Sequence, residues 1–192
     1  MNLIEKCRPF SRPDDRQAWR SLTLSIALAA LGLTLPAIWP GIWPSLLAGS
    51  FLFGIAVLRL YSIQHDCGHY SYFSSRALND RIGTWLSLFS GIAYSVSKHN
   101  HNLHHAHLGD ISQRDAHEVF TMARSEYEAA PFLRRLAYRI YRHPLTLFFL
   151  GPLWVYFVQY RWPRNTVKVG VRDVIVQNLT MFGFWALIVL ML

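Results

Sequence analysis

SIQHDCGHYSYFSSRALNDRIGTWLSLFSGIAYSVSKHNHNLHHAHL, from Ser62 to Leu108, sets two histidine clusters on either side of an apolar segment. The first reads His65-Asp66-Cys67-Gly68-His69, the second His101-Asn102-Leu103-His104-His105. Side chains four apart on a helix lie above one another, so His65 and His69 share a face. His101, His104 and His105 stand at i, i+3 and i+4, again one face. A lone histidine is more often a surface or satisfied core residue, and one HxxxH pair can arise on a plain helix. Two such clusters in a chain with few other histidines read as a multi-histidine metal site. Neutral imidazole suits iron, copper, zinc and nickel, so ligand type alone does not choose the metal.

That reading fixes the topology between the clusters. If both serve one site, they lie on the same side of whatever the apolar segment enters. Ile82 to Val96 must then dip in and return, or lie along an interface. The stretch is short for a span and contains Gly83 and Gly91, which agrees. His107 falls about 120° from the second cluster's mean direction and His99 also projects away from it, so neither joins the ligand set.

Working outward, the chain is 52% apolar and yet carries a formal net charge of +8. A soluble domain of this length rarely combines those traits, whereas a membrane protein with a basic cytoplasmic face does. The expectation is an all-α, polytopic membrane protein with a cytoplasmic helical cap carrying the histidine clusters. Residues 1–20 mix arginines with Glu5, Asp14 and Asp15 and lack a signal-peptide pattern, reading as a cytoplasmic lead-in. Residues 21–62 form a transmembrane hairpin: two uncharged runs joined by Trp39-Pro40-Gly41-Ile42-Trp43-Pro44, with tryptophans suited to the interface. Residues 63–108 hold the clusters and the dipping segment. Residues 109–143 are basic and helix-forming, a cap in which Ala129-Ala130-Pro131 starts a helix. Residues 144–161 are apolar but interrupted by Gly151-Pro152, hence re-entrant or interfacial. This keeps Arg161, Arg164, Lys168 and Arg172 cytoplasmic. Residues 172–192 make a third crossing.

Several function classes recede. The basic residues flank apolar segments instead of forming one stripe, so anionic lipid headgroups, not nucleic acid, are the expected counterpart. Cys7 and Cys67 form no disulfide framework, and Cys67 reads as an inert buried thiol. A haem cytochrome would place single histidines inside the membrane on separate helices. A metal transporter would carry ionisable residues within its spans, where almost none occur here.

HDCGHYSYFSSRALND followed by HNLHH resembles the first two histidine boxes of the integral-membrane fatty acid desaturases, nearest the bacterial Δ12 or ω-6-like type. The likeness runs from Gln64 onward through RHPLTLFFLGPL to Arg161-Trp162-Pro163. Carotenoid ketolases, hydroxylases and sphingolipid desaturases belong to the same superfamily, so a hydroxylase or ketolase on this scaffold is the alternative reading. The resemblance implies a pair of irons, with His65, His69, His101, His104 and His105 among their ligands. It implies oxygen-dependent introduction of a double bond into an acyl chain, with electrons from a cytoplasmic donor of ferredoxin or cytochrome type. Asp66, Asp110 and Asp115 are candidates to orient ligand rings from behind. Tyr70, Tyr72, Phe73 and Trp85 are candidates to line the acyl tunnel. Asn79-Asp80 resembles the family's LND segment and, read plainly, is an N-cap for the following helix. Two departures stand out. Ser97 occupies a position where many relatives carry tryptophan, and the family's third HxxHH box and late histidine are missing before Leu192. The expectation is therefore an incomplete ligand set in a truncated or non-catalytic fragment.

Overall fold

The computed structural model describes residues 3–7, 12–113, 119–159, 161 and 170–191. These residues are helical and turn structure with no strand among them. They divide into two compact units, Met1–Tyr94 with Val176–Leu192, and Ser95–Ile175.

In the first unit a short helix, α1 (Leu3–Cys7), precedes α2 (Asp15–Ile38) and α3 (Trp43–Gly68). Asp14 starts α2 by accepting the Arg16 and Gln17 amides at 2.9 and 3.2 Å, which satisfies donors that a helix start leaves orphaned. Pro44 sits in the first turn of α3, where its missing N–H costs nothing. At 24 and 26 residues, both helices exceed the ~20 residues that a bilayer core requires. They pack as a tight pair. A Cβ placed on Gly32 would lie 2.6 Å from the Phe53 amide nitrogen, and one on Gly49 would lie 2.7 Å from the Gly32 carbonyl oxygen. Small residues at such a crossing let backbones meet, the usual way apolar helices associate where no water drives them together.

Arg59 is held inside this hairpin by Ser25 Oγ at 3.1 Å and Ser21 Oγ at 3.3 Å. The turn after α3 folds back onto the start of α2. Ser74 donates from its amide and hydroxyl to Asp15, Tyr72 donates to the Ala18 carbonyl at 2.8 Å, and Phe73 packs on Trp19.

Helix α4 (Arg76–Ser90) is capped by Ser75 and ends at Gly91, whose φ of +68° is a conformation glycine adopts at little cost. The N-cap expected at Asn79-Asp80 thus lies one residue before Arg76, at Ser75. Asn79 is buried a turn inside, its side chain gripping the Phe73 amide and carbonyl at 3.1 and 2.7 Å. At 15 residues, α4 is too short to cross a bilayer core alone. After the three-residue turn at Gly91, helix α5 (Tyr94–Ala106) begins, and from Ser95 it belongs to the second unit.

In the second unit, α6 (Arg124–Ala129) and α7 (Phe132–Arg142) meet at Ala130-Pro131, and Pro131 is the N-cap of α7. A short helix, α8 (Gly151–Trp154), is flanked by wide-turn helical segments Thr146–Leu150 and Val155–Gln159. The helical path therefore runs through Gly151-Pro152. Proline lacks an N–H and crowds the preceding turn, and wider turns absorb both defects without stopping the helix. Back in the first unit from Val176 onward, helix α9 (Val171–Met191) is the third helix long and apolar enough to cross a membrane. Its Trp185 meets Phe53, and its Phe184 meets Phe89.

Candidate functional site

The first histidine pair ends α3. His65 lies in the last turn and His69 is the C-cap, still near helical backbone angles, so the four-residue spacing survives the helix end. Their ring centroids are 4.7 Å apart. The chain then turns sharply. Tyr70 is the one non-glycine with positive φ among the described residues, and Ser71 returns both its amide and its hydroxyl to the Asp66 carbonyl. Asp66 lies beside the pair, its Oδ1 3.1 Å from His65 Nδ1.

Two side chains that the sequence does not single out, Gln64 and Tyr94, lock this helix end in place, together with Asp80 of the LND segment. Buried Gln64 shares its two amide hydrogens among the Gly83 carbonyl, Ser87 Oγ and the Ile92 carbonyl at 3.0–3.1 Å. It also accepts from Ser90 Oγ at 2.7 Å. Tyr94 fits its ring into the hollow over Gly83, where a Cβ would lie 2.3 Å from the ring edge. The Tyr94 hydroxyl sits 3.0 Å from both the Cys67 carbonyl and Asp80 Oδ1, and with one hydrogen it donates to one at a time. Asp80 also accepts from Tyr70 at 3.2 Å. Burial, reinforced by the neighbouring Asp80 charge, pushes the Tyr94 phenol well above its ordinary value; burial likewise raises Tyr72.

The second cluster lies along α5. His101 and His105 bring their Nε2 atoms to 2.9 Å, with ring centroids 4.5 Å apart. The His104 ring lies 6.0 Å from His101 and 5.7 Å from His105, on the same side of the helix. His99 is elsewhere on α5, its Nε2 buried without a hydrogen-bond partner among the described residues. His107 lies beyond the end of the helix. Asp110 Oδ1 accepts the amide and hydroxyl of Ser112 at 2.9 and 2.6 Å. Asp115 and His117 lie outside the described residues.

The nitrogens fit a metal. Two ligand nitrogens each ~2.1 Å from one ion, at right angles, stand ~3.0 Å apart, close to the spacing of His101 and His105. Of the aromatic candidates, Phe73 is fully buried in the core and Tyr72 is tied to Ala18. Tyr70 is tied to Asp80 beneath the Arg76 guanidinium, and Trp85 is exposed, set edge-on to Phe89.

The family model for fatty acid desaturases matches residues 37–192. This chain belongs to the fatty acid desaturase family. It is 31% identical over 110 residues to a fatty acid desaturase of Bacillus subtilis, covering 57% of this chain and 31% of that one. To the sn-1 oleoyl-lipid 12-desaturase of Synechocystis it is 26% identical over 182 residues, 82% of this chain and 45% of that one. To a chloroplastic omega-6 fatty acid desaturase of Glycine max it is 31% identical over 132 residues, 64% of this chain and 28% of that one. The chain thus spans less than half the length of these relatives. No solved structure matches it. Family membership and three helices of spanning length make this desaturase-family chain a membrane protein.

Proposed function

We propose that this chain takes part in oxygen-dependent desaturation of an acyl chain, with His65, His69, His101, His104 and His105 holding iron of a di-iron centre. The observation that carries the proposal is the spacing of the His101 and His105 nitrogens, set on α5 as ligands of one ion would be. The relatives' names, desaturases acting on fatty acids and on an oleoyl lipid, support the substrate class. Removing two hydrogens from neighbouring methylenes is beyond any amino-acid side chain, and the bound irons would supply the oxygen-activating oxidation. The net change takes one O2, two electrons and two protons, and yields the alkene and two waters.

The chain's own residues position and orient. With the His65 Nδ1 hydrogen given to Asp66, Nε2 keeps its lone pair for a metal. Gln64 and Tyr94 fix the helix end on which His65 and His69 stand. We place the clusters on the cytoplasmic side, where a ferredoxin- or cytochrome-type donor would meet the basic residues.

The test is expression in a bacterium lacking its own desaturase, with fatty acids profiled by mass spectrometry and iron measured in the purified chain. Monounsaturated or diunsaturated products and bound iron, both lost in His101→Ala/His105→Ala, are the expected result. Oxygenated products would replace the desaturase reading with a hydroxylase. Iron content unchanged by the substitutions would remove these histidines from the site.

A further inference from the structure

Helix α7, FLRRLAYRIYR, separates its residues by chemistry. At 100° per residue, Phe132, Leu136, Ile140 and Leu133 fall within an arc of about 100°, and Arg134, Arg135, Arg139 and Arg142 all lie outside it. The fold of its own unit fixes which side faces inward. The Tyr138 hydroxyl accepts the Met122 amide at 3.2 Å, and the Tyr141 hydroxyl accepts the Phe120 amide at 2.9 Å. Tyr127 packs its ring at a tilt against Tyr138 and accepts from Arg139, whose guanidinium lies over its ring. These contacts occupy the tyrosine side of α7. The opposite stripe is left uncovered, with Phe132 68%, Leu133 75% and Ile140 58% exposed.

Two further features say what covers it. The apolar surface continues past His143 into the apolar helix Thr146–Val158, where Phe148, Phe149 and Phe157 are also exposed, a run larger than water tolerates on a soluble protein. Arg134, Arg135 and Arg142 meet no carboxylate among the described residues. Arg135 and Arg142 stand on one shoulder of the stripe and Arg134 on the far side, about 150° from its centre at 100° per residue; from a shoulder, long basic side chains reach from an apolar boundary to phosphates. A partner with an apolar interior and an anionic rim satisfies both.

We infer that α7 is a membrane-surface helix. Its Phe132–Leu136–Ile140 stripe enters the boundary between acyl chains and headgroups, and its arginines bind the phosphates of anionic lipids. This inference is independent of any metal or activity, and it assigns part of the basic segment 109–143 to the bilayer instead of to a solvated cap.

The test uses the full chain in lipid nanodiscs, with nitroxide labels at Leu136→Cys or Arg134→Cys in a Cys7→Ser background. Cys67 is buried and does not compete for label. In bilayers with a third of phosphatidylglycerol, the Leu136 label should be oxygen-accessible and shielded from water-soluble nickel chelate, several-fold more so than the Arg134 label. In pure phosphatidylcholine, or with Arg134, Arg135 and Arg142 all changed to Gln, the difference should shrink. A Leu136 label open to nickel would overturn the inference, as would one immobilised and shielded from both reagents, which means a protein surface covers the stripe. Insertion indifferent to headgroup charge would overturn the role of the arginines. As a check without substitutions, a lipid with a photoreactive acyl chain should cross-link the native chain at Phe132, Leu136 or Ile140. Cross-links confined to α2, α3 and α9 would count against it.

Discussion

Gln64 is a polar side chain in an apolar neighbourhood, and its value lies in how fully it is satisfied. Its amide joins α3 to both the middle and the far end of α4, immediately before His65. Gln64→Leu keeps the volume but leaves the Ser90 hydroxyl proton without its acceptor and strands the Ile92 carbonyl. Buried groups left unpaired cost ~1–3 kcal/mol each, so thermal unfolding in detergent should show a loss of about 2–6 kcal/mol. A loss below ~0.5 kcal/mol would mean water replaces the amide.

Tyr94 adds a pH dependence. Its folded phenol is held protonated above its ordinary value, whereas the unfolded chain ionises near pH 10. Below that pH both states carry the proton and the contribution is flat. Above it the unfolded state alone loses the proton, so stability falls with rising pH by up to ~1.4 kcal/mol per unit. Tyr94→Phe should lower the neutral-pH plateau by ~1 kcal/mol and flatten the alkaline limb, both readable from unfolding midpoints between pH 8 and 11.

At the scale of elements, the α2–α3 crossing makes a sharp contrast among three glycines. The Cβ of Gly32→Ala or Gly49→Ala meets backbone atoms of the partner helix, which no rotamer change relieves. Separating the helices should cost ~1–3 kcal/mol. Gly54→Ala meets nothing within 4 Å and should be neutral or stabilising by up to ~1 kcal/mol through helix propensity. Equal effects at all three would deny that the crossing is set by close backbone approach.

What was legible in the sequence follows the same division. The apolar runs of α2, α3 and α9 and the histidine faces of α3 and α5 rest on local periodicity, which a sequence carries openly. The Gln64 and Tyr94 contacts join residues 14 to 28 apart, and depend on how α4 folds back on α3. No window of sequence contains them. In the sequence Phe73 is one aromatic among several near the histidines, and only the return of the turn onto Trp19 makes it core. The Gly151-Pro152 pair read as an interruption because propensity favours one. Wide turns on either side let the helix continue.

At the scale of the whole molecule, the two histidine clusters stand in separate units, one at the end of α3 and one along α5. If both bind one centre, metal is a cross-link between units as well as a reagent, and its binding energy adds to the stability of the joined state. Ferrous iron at a hundredfold excess over its dissociation constant should then stabilise the chain by ~2.7 kcal/mol, read as a raised unfolding midpoint under anaerobic conditions. The argument requires that neither pair be sufficient. His65→Ala/His69→Ala and His101→Ala/His105→Ala should each abolish most of the iron-dependent shift, because either substitution leaves ligands on one unit alone. If one pair keeps the full shift without the other, the clusters bind separately, and the reasoning that placed them on one side of the membrane loses its premise. A shift that halves in each double variant would point the same way, to two independent sites. Loss of the whole shift in both is the outcome a shared centre predicts, and it can be read without any assay of lipid chemistry.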